Sequence, residues 1–106
     1  MSESTAAWIP VCNRDQVEQD NPFAAMAGQT AIGIYEVGGA LHAVEDICPH
    51  AAAHLTQGFA DGCEIECPLH NAVFDVTSGK HLRGEPCRDL KTFAVRVVDA
   101  RIEVQL

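Results

Sequence analysis

Two short segments must be brought face to face in any fold this chain adopts. One ends in Cys48-Pro49-His50 and the other is Cys67-Pro68-Leu69-His70, with sixteen residues between His50 and Cys67. Thiolate and imidazole are the ligands taken by zinc, copper and iron–sulfur clusters. A lone Cys or His is ordinarily a small buried hydrophobe or a satisfied core histidine. Two tight Cys/His pairs, each carrying a proline, are not accounted for in that way, and they form a metal-ligand pattern.

The order of the ligands narrows the choice of metal. Zinc fingers of the two-Cys, two-His type keep the cysteines together and the histidines together. Here each pair holds one of each. That arrangement suits a two-iron cluster with one iron on both cysteines and the other on both histidines. The sequence resembles the Rieske [2Fe–2S] family at this point, whose motif is Cys-x-His, roughly 15 to 17 residues, then Cys-x-x-His. Leu55, Gly58, Ile65, Pro68, Phe74, Asp75, Thr77 and Gly79 extend the likeness to the Rieske ferredoxins of bacterial ring-hydroxylating oxygenases. The resemblance implies that Cys48, His50, Cys67 and His70 bind one cluster. It departs from the common pattern at Ala51 and Ala72, where relatives carry glycine.

Length and composition are consistent with this. A chain of 106 residues makes one domain, 1–106, with a modest core. No stretch reaches the roughly 18 apolar residues of a membrane-spanning helix, and no signal peptide is recognisable at the start. A soluble, cytoplasmic protein is expected. The formal charge of −8 argues against nucleic acid and anionic membranes as partners. It serves solubility, and it also suits an acidic carrier docking on basic partners. Of five cysteines, Cys12, Cys63 and Cys87 are left over and are expected to be thiols in a reducing compartment.

Taken in order, Ala7–Cys12 reads as a strand whose Pro10 suits a sheet edge, with Trp8 as core filler. A turn or one helical turn is expected within 13–21, then a weak strand from Phe23 to Ala27. Thr30–Val37 and Ala40–Glu45 flank Gly38-Gly39 and predict a hairpin. His42 in its second arm reads as a strand-surface residue. His54 reads as a solvated loop residue, with docking as a second role and ligation a distant third. Asp61-Gly62 marks a turn. Cys63–Cys67 then alternates as a strand, with Ile65 and Cys67 on one side. Phe74 and Val76 point inward before a Thr77-Ser78-Gly79 turn, and His81 is expected to be exposed. Phe93, Val95 and Val97 alternate, as do Ile102, Val104 and Leu106, around a turn at Asp99-Ala100. This closing hairpin should bury one face.

No long helical period is present, and short strands between Gly and Asp turns predict an all-β chain. The expected architecture is an antiparallel β-sandwich or barrel base with a small inserted cluster-binding lobe at about 46–76, as the resemblance also implies. No nucleophile–base pair, phosphate loop or spare set of iron ligands is present, so the chain is expected to be an electron carrier rather than an enzyme. The resemblance implies that it takes an electron from a flavin-dependent ferredoxin reductase and passes it to a ring-hydroxylating oxygenase. A small subunit of a nitrite-reductase-type enzyme shares the fold, and a structural zinc domain is the non-redox alternative. An energy-chain Rieske subunit would need a cysteine pair bridging the loops, where this chain has Ala53 and Leu69. High-potential relatives place a serine and a tyrosine two and four residues after the second histidine. Ala72 and Phe74 stand there, which predicts a low reduction potential.

Overall fold

A computed structural model describes residues 7–49, 52–69 and 71–106. Among these residues, ten strands form two antiparallel sheets. The larger is built from β1 (Trp8–Asn13), β2 (Phe23–Ala27), β3 (Thr30–Val37), β4 (Ala40–Glu45), β9 (Thr92–Val98) and β10 (Arg101–Gln105). Its order is β1-β10-β9-β4-β3-β2, and β1 and β2 approach each other so that the sheet nearly closes into a barrel. The smaller sheet, in chain order, contains β5 (Phe59–Asp61), β6 (Glu64–Glu66), β7 (Val73–Asp75) and β8 (His81–Arg83). It is inserted between β4 and β9. Two 3-10 turns, Arg14–Gln16 and Leu55–Gln57, are the helical elements among the described residues. No helix there is long and apolar enough to cross a membrane.

Local chemistry accounts for most of these boundaries. β1 lies at one end of the strand order, and its ladder to β10 is irregular between Pro10 and Cys12, where Pro10 has no amide hydrogen to give. Gly38 and Gly39 take positive φ of 58° and 86°, which closes β3 onto β4 through a two-residue turn.

Two cores share one wall. Val17, Ala25, Ala27, Ile32, Ile34, Ala43, Ile102 and Val104 fill the barrel. A second core gathers Tyr35, Val44, Cys48, Leu55, Ile65, Cys67, Phe74, Val76 and Leu90. Side chains alternate across a strand, so β3 sends Ile32 and Ile34 into the barrel and Tyr35 to the opposite side. β4 splits in the same way between Ala43 and Val44. The β3–β4 hairpin is therefore covered on both faces, and the smaller sheet stands on it. Gly33 makes this possible: a Cβ there would lie 2.9 Å from both Thr56 Cγ2 and the Tyr35 ring.

Three expectations fail, two of them through a contact made across strands. Trp8 is half-buried rather than core, with the Arg96 guanidinium 4.3 Å above its ring centre. Val97 is exposed, so the inward alternation of β9 stops at Val95. On β10, Glu103 is buried beside its neighbours Ile102 and Val104, where Arg96 donates to it at 2.8 Å.

Candidate metal centre

Both cysteines of the sequence pattern sit at the floor of loops built alike. The Cys48 amide donates to the Ala53 carbonyl at 2.9 Å, and the Cys67 amide to the Ala72 carbonyl at 3.0 Å. Each loop therefore closes five residues beyond its cysteine. Cys48 is 2% exposed and Cys67 1%, and both belong to the second core. His50 and His70, together with Ala51, lie outside the described residues.

Each loop is braced from a different side. The first is held by Asp46, whose carbonyl accepts from Leu55 N–H at 2.7 Å. The carboxylate of Asp46 accepts from Thr56 N–H at 2.8 Å, from the Thr56 hydroxyl at 2.9 Å and from His54 Nδ1 at 2.9 Å. At the end of this loop, Gly58 passes so close to β6 that a Cβ would collide with the Glu66 carbonyl. The second loop is held from the far end of β8, where Glu85 N–H donates to Asn71 Oδ1 at 3.1 Å.

Exposed apolar side chains stand beside the pattern. Leu69 is 68% exposed, directly before His70, and Ile47 is exposed directly before Cys48. Ala53 and Leu69, at the positions where a bridging cysteine pair would be needed, carry no sulfur; one is a buried methyl group and the other is exposed. No disulfide joins Cys12, Cys63 or Cys87. Burial pushes the Cys12 thiol up, and Cys87 is raised by burial and then by Cys67.

The remaining histidines have separate places. His42 is half-buried and pairs with Tyr35 across the β3–β4 ladder. His54 is exposed, as expected of a solvated loop residue, and its Nδ1 is in addition tied to the buried Asp46. His81 is not exposed but half-buried in β8, edge-on to Phe74 at 5.6 Å, with Nε2 2.9 Å from the Glu85 carbonyl oxygen. Among the described residues, no group of three or more His, Cys, Asp or Glu is disposed to hold a metal ion.

Sequence reasoning missed Asp46 and Tyr35. Tyr35 is buried, and its hydroxyl is without a hydrogen-bond partner. Burial, and then the charge of Asp46, push the phenol well above its ordinary value. Asp46 directly before Ile47-Cys48 was a visible polar residue, but its burial depends on the return of the chain at 54–56.

The residues present fit a two-iron group on its thiolate side: two enclosed cysteines, one per loop, facing one core. Comparison with known proteins agrees. The model of the Rieske family, described as the Rieske [2Fe-2S] domain, matches residues 7–94. The anthranilate 1,2-dioxygenase ferredoxin subunit of Burkholderia cepacia is 35% identical over 108 residues, covering 100% of this chain and 99% of that protein. The Sphingomonas yanoikuyae B1 ferredoxin superposes with a TM-score of 0.87 at 29% identity, covering 94% of this chain and 99% of the other. A ferredoxin solved in a complex of reduced oxygenase and oxidized ferredoxin in carbazole 1,9a-dioxygenase gives 0.80 at 32% identity, covering 91% and 99%.

Proposed function

The chain belongs to the Rieske [2Fe–2S] domain family, and from that premise we propose that it is a one-electron carrier, a ferredoxin that delivers electrons to a ring-hydroxylating oxygenase. The observation that carries this reading is the pair of matched loops, each burying one cysteine in a single shared core. The whole chain is taken as one domain whose cluster-binding lobe rises from the β3–β4 wall.

Cys48, His50, Cys67 and His70 are the proposed ligands. When bound, the cluster supplies a one-electron redox couple. The chain's own residues do the rest. Cys48 and Cys67, enclosed in the core with Leu55, Ile65 and Phe74, would hold the group and shield its thiolates from water. His50 and His70, the remaining proposed ligands, follow Cys48 by two residues and the exposed Leu69 by one in sequence. Ile47 and Leu69 give that tip an apolar surface on which an oxygenase can seat and exclude water. The chain's formal charge of −8 supplies longer-range attraction to basic partner surfaces.

The upstream donor in this reading is a flavin-dependent ferredoxin reductase, and the compartment is the cytoplasm. Both are part of the proposal: the donor is what the family resemblance of the sequence implies, and neither rests on residue chemistry of this chain. Iron content decides the ligand assignment. Replacing Cys48, His50, Cys67 or His70 by Ala is expected to abolish iron binding and the visible spectrum, while His42, His54 and His81 variants keep them. A His54 variant that loses iron while a His50 variant retains it contradicts the assignment.

A further inference from the structure

Asp46 is the most deeply buried acidic side chain among the described residues, 1% exposed and two positions before Cys48. It ties down both ends of the first loop. Its amide donates to the Ala31 carbonyl on β3 at 3.0 Å, and its carbonyl takes the Leu55 amide. Its carboxylate oxygens accept three hydrogen bonds, two from Thr56 and one from His54, both where the loop returns through the 3-10 turn Leu55–Gln57. A carboxylate only accepts, so His54 presents Nδ1–H to it.

Burying a carboxylate is costly even when it is hydrogen-bonded. An asparagine could accept the Thr56 amide bond without that cost. It could not also accept from His54 and the Thr56 hydroxyl as Oδ2 does, so the loop keeps a buried negative charge, and that charge acts beyond the loop. Its field also reaches the relevant place. Tyr35 lies in the same core as Cys48 and Cys67, and the Asp46 charge contributes to raising its phenol after burial has done so. Among the described residues, His54 is the one basic side chain hydrogen-bonded to Asp46.

We propose that Asp46 is a positioning residue that also sets the reduction potential, its buried charge holding the midpoint low. The inference rests on the carrier reading above. One electron arrives from the reductase and no bond is made or broken. The reduced group carries one more negative charge, and an anion enclosed in the same low-dielectric core raises the energy of that state. Thr56 and His54 offset part of the field by donating to the carboxylate.

The test is a redox titration of cluster-loaded wild type, Asp46→Asn and Thr56→Val at one pH and one ionic strength. Asp46→Asn removes the charge and is expected to shift the midpoint upward. Thr56→Val removes the hydroxyl donor, keeps the shape and the amide bond, and is expected to shift it downward. Loosening of the loop alone would move both variants the same way. Shifts of one sign, or no shift in either, overturn the proposal. Should Asp46→Asn fail to take up the cluster, Thr56→Val decides alone: a fall supports the proposal and an unchanged or higher midpoint overturns it. A wild type without a cluster spectrum sinks the carrier reading itself, whereas a normal spectrum with the wrong shifts sinks only the role of Asp46.

Discussion

Glu45 grips Arg88 through two hydrogen bonds of 2.6 and 3.1 Å, joining the end of β4 to the segment that follows the smaller sheet. The same carboxylate accepts the Lys91 amide at 2.8 Å, just before β9. Both connections between base and lobe are thus pinned at one residue: Asp46 and Cys48 follow directly, and Leu90 of the second core lies beside Lys91.

This pair has a pH signature. Burial works against the charged form of Glu45, but the Arg88 hydrogen bond and the Lys91 amide outweigh it, so the carboxyl lies below its ordinary value. A lowered folded value means the unfolded chain binds the proton more readily. The stabilisation is therefore complete above the ordinary glutamate value of about 4.3 and drains as pH falls through the lower folded value. Glu45→Gln should unfold more easily than wild type at neutral pH and converge with it in acid. Denaturant midpoints measured from pH 7 downward check this, and a constant gap between the two curves would contradict it.

The turn between β9 and β10 carries removable strain. Asp99 and Ala100 both adopt positive φ, 52° and 65°. Asp tolerates this region, but Ala pays a steric penalty of roughly 1 kcal/mol or more. Ala100→Gly gives the Asp-Gly pair that such turns favour. It is expected to stabilise the fold by about 1 kcal/mol, or about 4 °C in Tm for a chain of this size. Thermal melts of the two proteins settle the sign.

Phe74 offers a second way to move the potential. It is fully buried in the core that encloses Cys48 and Cys67. Cluster potentials rise when hydrogen bonds draw charge from the sulfurs. Phe74→Tyr adds a donor inside that core and should raise the midpoint. An unchanged midpoint with lowered stability would show an unpaired hydroxyl instead, at a cost of about 1–3 kcal/mol.

What was legible in the sequence was local. The Gly38-Gly39 hairpin follows from turn chemistry within a few residues, and the alternation of Glu64, Ile65 and Glu66 gives β6 directly. The cysteines of the centre could be found because their spacing to the histidines is itself the signal. The misplacements have non-local causes. His81 is covered because β8 pairs with β7 and brings it edge-on to Phe74. Trp8 meets Arg96 only because β10 stands between their strands. Asp46 is buried by residues 54–56 folding back over Gly33, a contact no periodicity encodes.

Docking should respond to salt. With a formal charge of −8, attraction to a basic partner surface is screened over about 8 to 10 Å at physiological ionic strength. Electron transfer to the oxygenase, measured across a salt series at limiting concentrations, is expected to slow as salt rises. A flat profile would leave the apolar tip at Ile47 and Leu69 as the whole of the recognition.

The most direct test of the carrier assignment is a redox titration of the purified wild type followed by electron paramagnetic resonance. Rieske centres span about −150 to +300 mV. With Ala72 and Phe74 giving no side-chain donor, and Asp46 buried beside the first loop, the account predicts a single one-electron transition at the low end of that range. A midpoint above about +100 mV, within the span of such centres, would contradict it.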